Sequence, residues 1–264
     1  MTNNKFSLGS DPEVFLKKVI DGIEVYFPAV EVITGDKNAP TKIDNEGRAI
    51  LVDNVMLEFN TKPTYDMDNF VKEHLTFIEY LTNEMNKKEC KLSKKAYVEF
   101  NPKYLQSDSA KLFGCDPDFN AYTMERNIPP EASVNFRSAA GHIHIGYDGH
   151  CVDTTRELIK LLDFTLGLQS VIDDDDRGRR LMYGQAGAFR FKNFGLEYRV
   201  LSNYWIFTPE KLRKVYNGVI KAFELHEMGF SLDKKLEKDT IEAINTYNVD
   251  TAKRIINEQL NNIK

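Results

Sequence analysis

Four stretches of this chain set two chemically useful side chains at positions i and i+2: Asp11/Glu13, Glu58/Asn60, His142/His144 and Glu197/Arg199. Successive side chains of a β-strand point to opposite faces, so each pair would share one face. Apolar residues take the alternate positions: Ile143 and Ile145 beside the histidines, Leu57 and Phe59 beside Glu58, Leu196, Tyr198 and Val200 beside Glu197. Such alternation is ordinary in half-buried antiparallel sheets, and any single pair reads equally well as a solvated strand face. The residue types are less ordinary, because Thr, Ser and Lys usually cover a solvated face. A surface carrying Asp11, Glu13, Glu58 and Glu197 needs cations. Carboxylate oxygens suit Mg²⁺ or Mn²⁺, and Mn²⁺ tolerates an imidazole such as His142 or His144. Mg²⁺ held by a few carboxylates completes its shell with substrate phosphates. Arg199, with Arg190, Arg137 and Lys37 as further candidates, could then hold those phosphates.

The elements that must position these residues are readable in outline. Residues 5–28 predict a hairpin whose first arm contains Asp11-Pro12-Glu13 and which turns at Asp21-Gly22. A loop over 29–48 contains Lys37, and a second hairpin turns at 44–47 and continues through Glu58 and Asn60. Residues 66–89 predict an amphipathic helix capped by Asp66 or Asp68, with Phe70, Phe77, Leu81 and Met85 facing inward; His74 within it reads as structural. A strand over 96–100 precedes the long segment 101–135, which carries little periodicity and reads as a binding loop or lid. The strand of His142 and His144 is closed by Gly141 and Gly146. Asp153 would cap a helix to about Ile172, and the acidic run from Asp173 would be solvated and paired with arginines. The glycine-rich stretch Tyr183–Arg190 matches neither a Walker loop nor a dinucleotide fingerprint. Pro209 opens another helix after Thr208, and two short polar helices near 239–247 and 250–262 would pack peripherally.

With 264 residues, no internal repeat and no clear linker, one domain over 1–264 is the simplest organisation. A net charge of -5 argues against sequence-independent nucleic-acid binding. Cys90, Cys115 and Cys151 lack metal-site spacing and read as reduced thiols. The sequence shows no apolar leader and no membrane span, so the expected compartment is the cytoplasm.

Taken together, the motifs resemble a known family. Gly9-x-Asp11-x-Glu13-x-Phe15-Leu16 looks like the opening Gly-x-Glu-x-Glu strand of glutamine synthetase-like and γ-glutamate–cysteine ligase-like enzymes. Gly141–Gly146 resembles their His-x-His strand, and Glu197-x-Arg199 their late Glu-x-Arg strand. With Gly114-Cys115-Asp116-Pro117-Asp118 and Tyr183-Gly184, the set is most similar to the phage-type COOH–NH2 ligases of that superfamily, over most of residues 7–205. The resemblance implies an α+β fold, a curved and mainly antiparallel sheet with helices on its convex face. It implies ATP and Mg²⁺ or Mn²⁺ on the concave face, and amide formation between a small-molecule carboxylate and an amine, an amino acid or peptide among them. In the family pattern Asp11, Glu13, Glu58, Glu197 and His142 or His144 would ligate metal. Arg199 would contact phosphate, with Glu197 and Arg190 beside it in the catalytic set; Lys37, Arg137 and Asp116 rank behind them. A homo-oligomer is open, since relatives with this fold often assemble. Two other readings stand beside this one. A metal-dependent hydrolase or cupin-like enzyme would use His142 and His144, although no Glu follows at the cupin spacing. A non-catalytic nucleotide-binding relative would keep the residues without the reaction.

Overall fold

A computed structural model of the chain describes residues 6–36, 38–53, 55–106, 118–128, 135–175, 177–181 and 183–263. Lys37 and the Gly114–Pro117 stretch, with Asp116, therefore lie outside the described residues. In chain order the first strands are β1 (Phe6–Ser10), β2 (Glu13–Val14), β3 (Leu16–Ile20), β4 (Ile23–Phe27), β5 (Thr41–Lys42), β6 (Ala49–Asp53) and β7 (Met56–Asn60). Then come β8 (Lys91–Leu92), β9 (Tyr97–Glu99), β10 (Phe119–Asn120), β11 (Phe136–Ser138), β12 (Ile143–Tyr147), β13 (Ala188–Lys192) and β14 (Gly195–Tyr198). The helices are α1 (Met67–Lys87), α2 (Val152–Leu162), α3 (Leu168–Asp173), α4 (Pro209–Glu227), α5 (Lys234–Asn245) and α6 (Val249–Glu258).

The fold is α+β and its paired strands are antiparallel. One sheet has the order β1-β12-β14-β13-β10; a second runs β2-β7-β6-β5; β4-β3-β8 and β11-β9 form two smaller ones. The sequence places the hairpin turn correctly: Asp21 and Gly22 both adopt positive φ, as a type I′ turn requires. The first arm of that hairpin differs from expectation. Pro12, which has no N–H to donate, ends strand pairing on one side and starts it anew on the other. β1 therefore pairs with β12, whereas β2 pairs with β7 in a different sheet. The stretch 50–60 is likewise not one strand: it splits at a turn into β6 and β7.

The core lies under the five-stranded sheet. Ile143, Ile145, Leu196, Tyr198 and Phe189 are fully buried on the face covered by α2 and its continuation, against which α4 packs. Burial of each Ile, Leu or Phe side chain among them contributes roughly 1.5–3 kcal/mol. Asp66 caps α1 by accepting from Asn69 N, and Thr208 caps α4, with Pro209 in the first turn. Helix α2 starts two residues earlier than expected. Cys151 occupies the cap position and Asp153 lies inside the first turn. Between α2 and α3 the backbone widens into a single π turn, Asp163–Gly167. The acidic run after α3 is less solvated than its composition suggests. Asp174 is buried and accepts from Ser202 Oγ at 2.7 Å, while Asp173 pairs with Lys214 at 3.2 Å. Helices α5 and α6 pack against α3 and bury Thr240, Ala243, Ile244, Ala252 and Ile255. Among the described residues, no helix is long and apolar enough to cross a membrane.

Candidate metal and phosphate site

Antiparallel register assembles the polar face. Gly9 stands opposite His144, His144 opposite Glu197, and Glu197 opposite Arg190, so one row crosses four strands. Asp11 and Arg199 lie two residues after Gly9 and Glu197, and His142 two residues before His144 on the antiparallel strand, on the same face. Ligand atoms of Asp11, His142 and Glu197 all fall within 4.8 Å of one another. His142 Nδ1 is 3.4 Å from Asp11 Oδ1 and 3.5 Å from Glu197 Oε1. His144 Nε2 is 3.3 Å from Asp11 Oδ2 and 4.0 Å from Glu197 Oε2.

The start of β12 is held from below. Trp205 Nε1 donates to Gly141 O at 3.1 Å, and Gly141 N donates to Leu201 O at 3.0 Å. A Cβ at Gly141 would meet Ser202 O at 2.5 Å and the indole nitrogen at 2.6 Å, so only glycine fits this approach. A second support lies under Asp11. His74 Nδ1 contacts Phe70 O at 2.8 Å; a carbonyl only accepts, so Nδ1 carries the proton and Nε2 accepts from Ser10 Oγ at 2.7 Å.

Cations surround Glu197, which is fully buried. Arg199 Nη1 contacts its Oε1, Lys192 Nζ lies 2.7 Å from Oε2 and Arg190 Nη1 3.6 Å from Oε1. Arg199 also reaches Asp118 Oδ2 at 3.2 Å. Burial pushes the Glu197 carboxyl up, but His142, Arg199 and His144 outweigh it and hold it at about 2. Asp11 is also held low: burial raises it, and His144 and His142 outweigh that. The two histidines diverge. Burial and then Arg199 push His142 down to about 4, so it is neutral near pH 7. Burial also opposes charge on His144, but Asp11 and Glu197 raise it.

A second acidic group lies across the Pro12 break. Glu13 stands directly opposite Glu58 in the β2–β7 pair, and Glu13, Asp53 and Glu58 bring ligand atoms within 4.8 Å of one another. Burial first, then Asp53 and Asp11, push Glu13 up to about 7, against the pull of the Ala140 N–H and Arg179. Ala140 N donates to Glu13 Oε2 at 2.7 Å. Arg179 is buried and donates to Val200 O at 3.0 Å and Arg199 O at 3.3 Å. Burial pulls its guanidinium down to about 10.

The residues singled out in the sequence thus divide. Asp11, His142, His144, Glu197, Arg199 and Arg190 meet on one face; Glu13 and Glu58 meet on another sheet, with Asn60 facing Ala49 at its edge. Arg190 belongs to a strand and not to the glycine-rich loop. Arg137 is buried on β11 in the two-stranded sheet, where its Nη1 donates to Phe136 O at 2.7 Å. Four residues escaped the sequence reading. Lys192 sits at i+2 from Arg190, so the same spacing rule would have found it. Asp118 closes the Gly114–Asp118 motif. Asp53 ends an apolar run, and Arg179 lies among arginines that read as solvated; neither carries a local signal.

Both acidic groups suit a hard divalent cation. The first offers two carboxylates and a neutral imidazole, and Asp11 Oδ1 is buried without a hydrogen-bond partner among the described residues. The second offers three carboxylates crowded enough to raise one of them.

Comparison with known proteins agrees with the family resemblance. Residues 132–262, nearly half of the chain and including the His-x-His and Glu-x-Arg strands, match the family model described as phage phiEco32-like COOH.NH2 ligase-type 2. No curated protein matches the sequence. Among solved structures, one described as apo GmaS without ligand aligns with a TM-score of 0.42 and 10% identity, covering 99% of this chain and 71% of that one. A bifunctional glutathione synthetase from Pasteurella multocida aligns with a TM-score of 0.42 and 9% identity, over 98% of this chain and 49% of that one.

Proposed function

Because residues 132–262 match the phage phiEco32-like COOH.NH2 ligases, we propose that this protein is an ATP-dependent carboxylate–amine ligase working with Mg²⁺ or Mn²⁺ in the cytoplasm. The observation that carries the reading is the convergence of Asp11, His142 and Glu197 beside the cations Arg199, Arg190 and Lys192. Acids bind metal, and cations at the same edge bind phosphate. The reaction is amide formation in two steps. A substrate carboxylate oxygen attacks the γ-phosphorus of ATP, the bond to the bridging β–γ oxygen breaks, and ADP leaves. The amine nitrogen then attacks the acyl carbon, the carbon–oxygen bond to phosphate breaks, and inorganic phosphate and a proton leave.

Each role follows from placement. Asp11, His142 and Glu197 would hold one cation, and Glu13, Glu58 and Asp53 a second. When bound, such cations neutralise charge on the transferring phosphoryl group. His144 stands at the rim, where Asp11 and Glu197 favour its protonated form against burial, which suits a phosphate oxygen better than a metal. Arg199, locked by Glu197 and Asp118, presents a guanidinium that needs no reorganisation during the reaction. Arg190 and Lys192 extend the same cationic edge. The substrates are a small-molecule acid and amine, with amino acids and peptides the first to try.

The test is ADP release from ATP, screened over pairs of acids and amines with Mg²⁺ and with Mn²⁺. The proposal expects release only when acid, amine and metal are all present. Release that is indifferent to the acid, or that persists in excess chelator, overturns it.

A further inference from the structure

The buried face of the five-stranded sheet carries an ionisable group with no place in the reaction above. Asp163 opens the π turn between α2 and α3 and is wholly inaccessible to solvent. Its Oδ1 accepts from Tyr198 Oη at 2.8 Å. Its Oδ2 accepts from Gly187 N at 2.6 Å and Tyr122 Oη at 3.0 Å. Those three partners belong to three different parts of the cationic edge. Tyr198 lies on β14 between Glu197 and Arg199. Gly187 immediately precedes β13, which carries Arg190 and Lys192. Tyr122 follows β10, two residues after Asn120 and four after Asp118, the partner of Arg199.

We propose that Asp163 is a positioning residue: from beneath the sheet, its one carboxylate sets where Glu197, Arg199 and Arg190 stand. The proposal rests on the ligase reading for its functional consequence but not for its geometry. Three donors converging on two buried oxygens fix three strands at once, because each bond is short and none can be exchanged for water. The backbone continues the same clamp: Ala121 N donates to Gly187 O at 2.9 Å, and Arg199 N to Ala188 O at 3.0 Å. A carboxylate in an apolar core is costly unless it is needed. Burial pushes Asp163 up to about 7, against the pull of Tyr198, Tyr122 and the Gly187 N–H. An apolar side chain in the widened turn would leave the Gly187 N–H and the two tyrosine hydroxyls buried without their acceptor. π turns occur frequently at functional sites.

The test uses Asp163→Asn in the full chain. Asn keeps the shape but replaces one acceptor oxygen by an NH2 group, so the three donors can no longer all be accepted. The first readout is the set of histidine ring signals in a long-range ¹H–¹⁵N spectrum, since the chain has 5 histidines, two of them against Glu197. The His142 and His144 signals should shift while those of His150 and His226 stay. The second readout is ATP affinity with Mg²⁺, which should fall by about tenfold or more. Tyr198→Phe, which deletes one of the three bonds, should give the same pattern at smaller size, and it carries the test if Asp163→Asn does not fold. A folded variant with unmoved His142 and His144 signals and ATP affinity within twofold of wild type overturns the proposal. If the wild-type chain binds no ATP, the ligase reading fails and the histidine signals alone decide the positioning role.

Discussion

Glu13 and Glu58 face each other as direct cross-strand partners in the second sheet, an arrangement that antiparallel pairing penalises for like charges. Asp53 adds a third carboxylate, and Glu13 is pushed up to about 7 by burial and by that company. A divalent cation would relieve all three at once. Thermal melting with and without Mn²⁺ checks this. Mn²⁺ should raise the melting temperature of the wild-type chain. Asp53→Asn should give a smaller rise, and its metal-free form should be no less stable than wild type. An undiminished rise in that variant would remove the second group as a metal site.

Arg199 is the cation that touches both Glu197 and Asp118. Its planar fork serves two carboxylates, and an ammonium cannot reproduce that geometry. Arg199→Lys should therefore lower the rate of ADP release by about 10²–10³ while the fold persists, the usual cost of removing one preorganised donor at developing charge. Circular dichroism verifies folding and steady-state kinetics give the rate. A loss under about tenfold would show that Arg199 is an ion-pair partner without a role at the phosphate.

His74 makes stability depend on pH. Burial pushes it down to about 4, below the ordinary 6.5 of an exposed imidazole. In the interval between those values the unfolded chain takes up a proton that the folded chain refuses. The stabilisation is complete above pH 6.5 and is lost as pH falls toward 4, on the order of 3 kcal/mol in all. Urea unfolding across that interval should give a steeper loss for wild type than for His74→Gln. Parallel curves would show that His74 does not carry the difference.

Gly141 leaves no room for a methyl group between Ser202 O and the Trp205 ring. Gly141→Ala must push β12 away from the Trp205 anchor, at a cost of about 1–3 kcal/mol in unfolding free energy. Because His142 is the next residue, Mn²⁺ affinity should fall with it. Calorimetric titration checks the second effect, and an alanine variant of unchanged stability would contradict the close approach.

Short-range chemistry made parts of this fold legible in the sequence. Asp21-Gly22, Asp66 and Thr208-Pro209 each act through neighbouring backbone, so the turn and the two caps could be read directly. The faces of His142/His144 and Glu197/Arg199 were legible because alternation survives any choice of neighbour. Pairing across the chain was not. Pro12 announces a disturbance but not that β1 and β2 join different sheets, which depends on β12 and β7 far along the sequence. Asp53 and Arg179 matter through partners distant in sequence, and Asp163 was visible only as a charge interrupting an apolar run.

The Pro12 break has a mechanical consequence. Asp11 follows β1 and Glu13 opens β2 in a different sheet, yet two peptide units tie them, and their Cα atoms cannot part by more than about 7 Å. The two acidic groups are therefore leashed. Cations held by both would be near neighbours, able to share one phosphoryl group and unable to drift apart as the sheets flex. One inserted residue at Pro12 would lengthen the leash without removing a single ligand, separating the effect of spacing from that of composition.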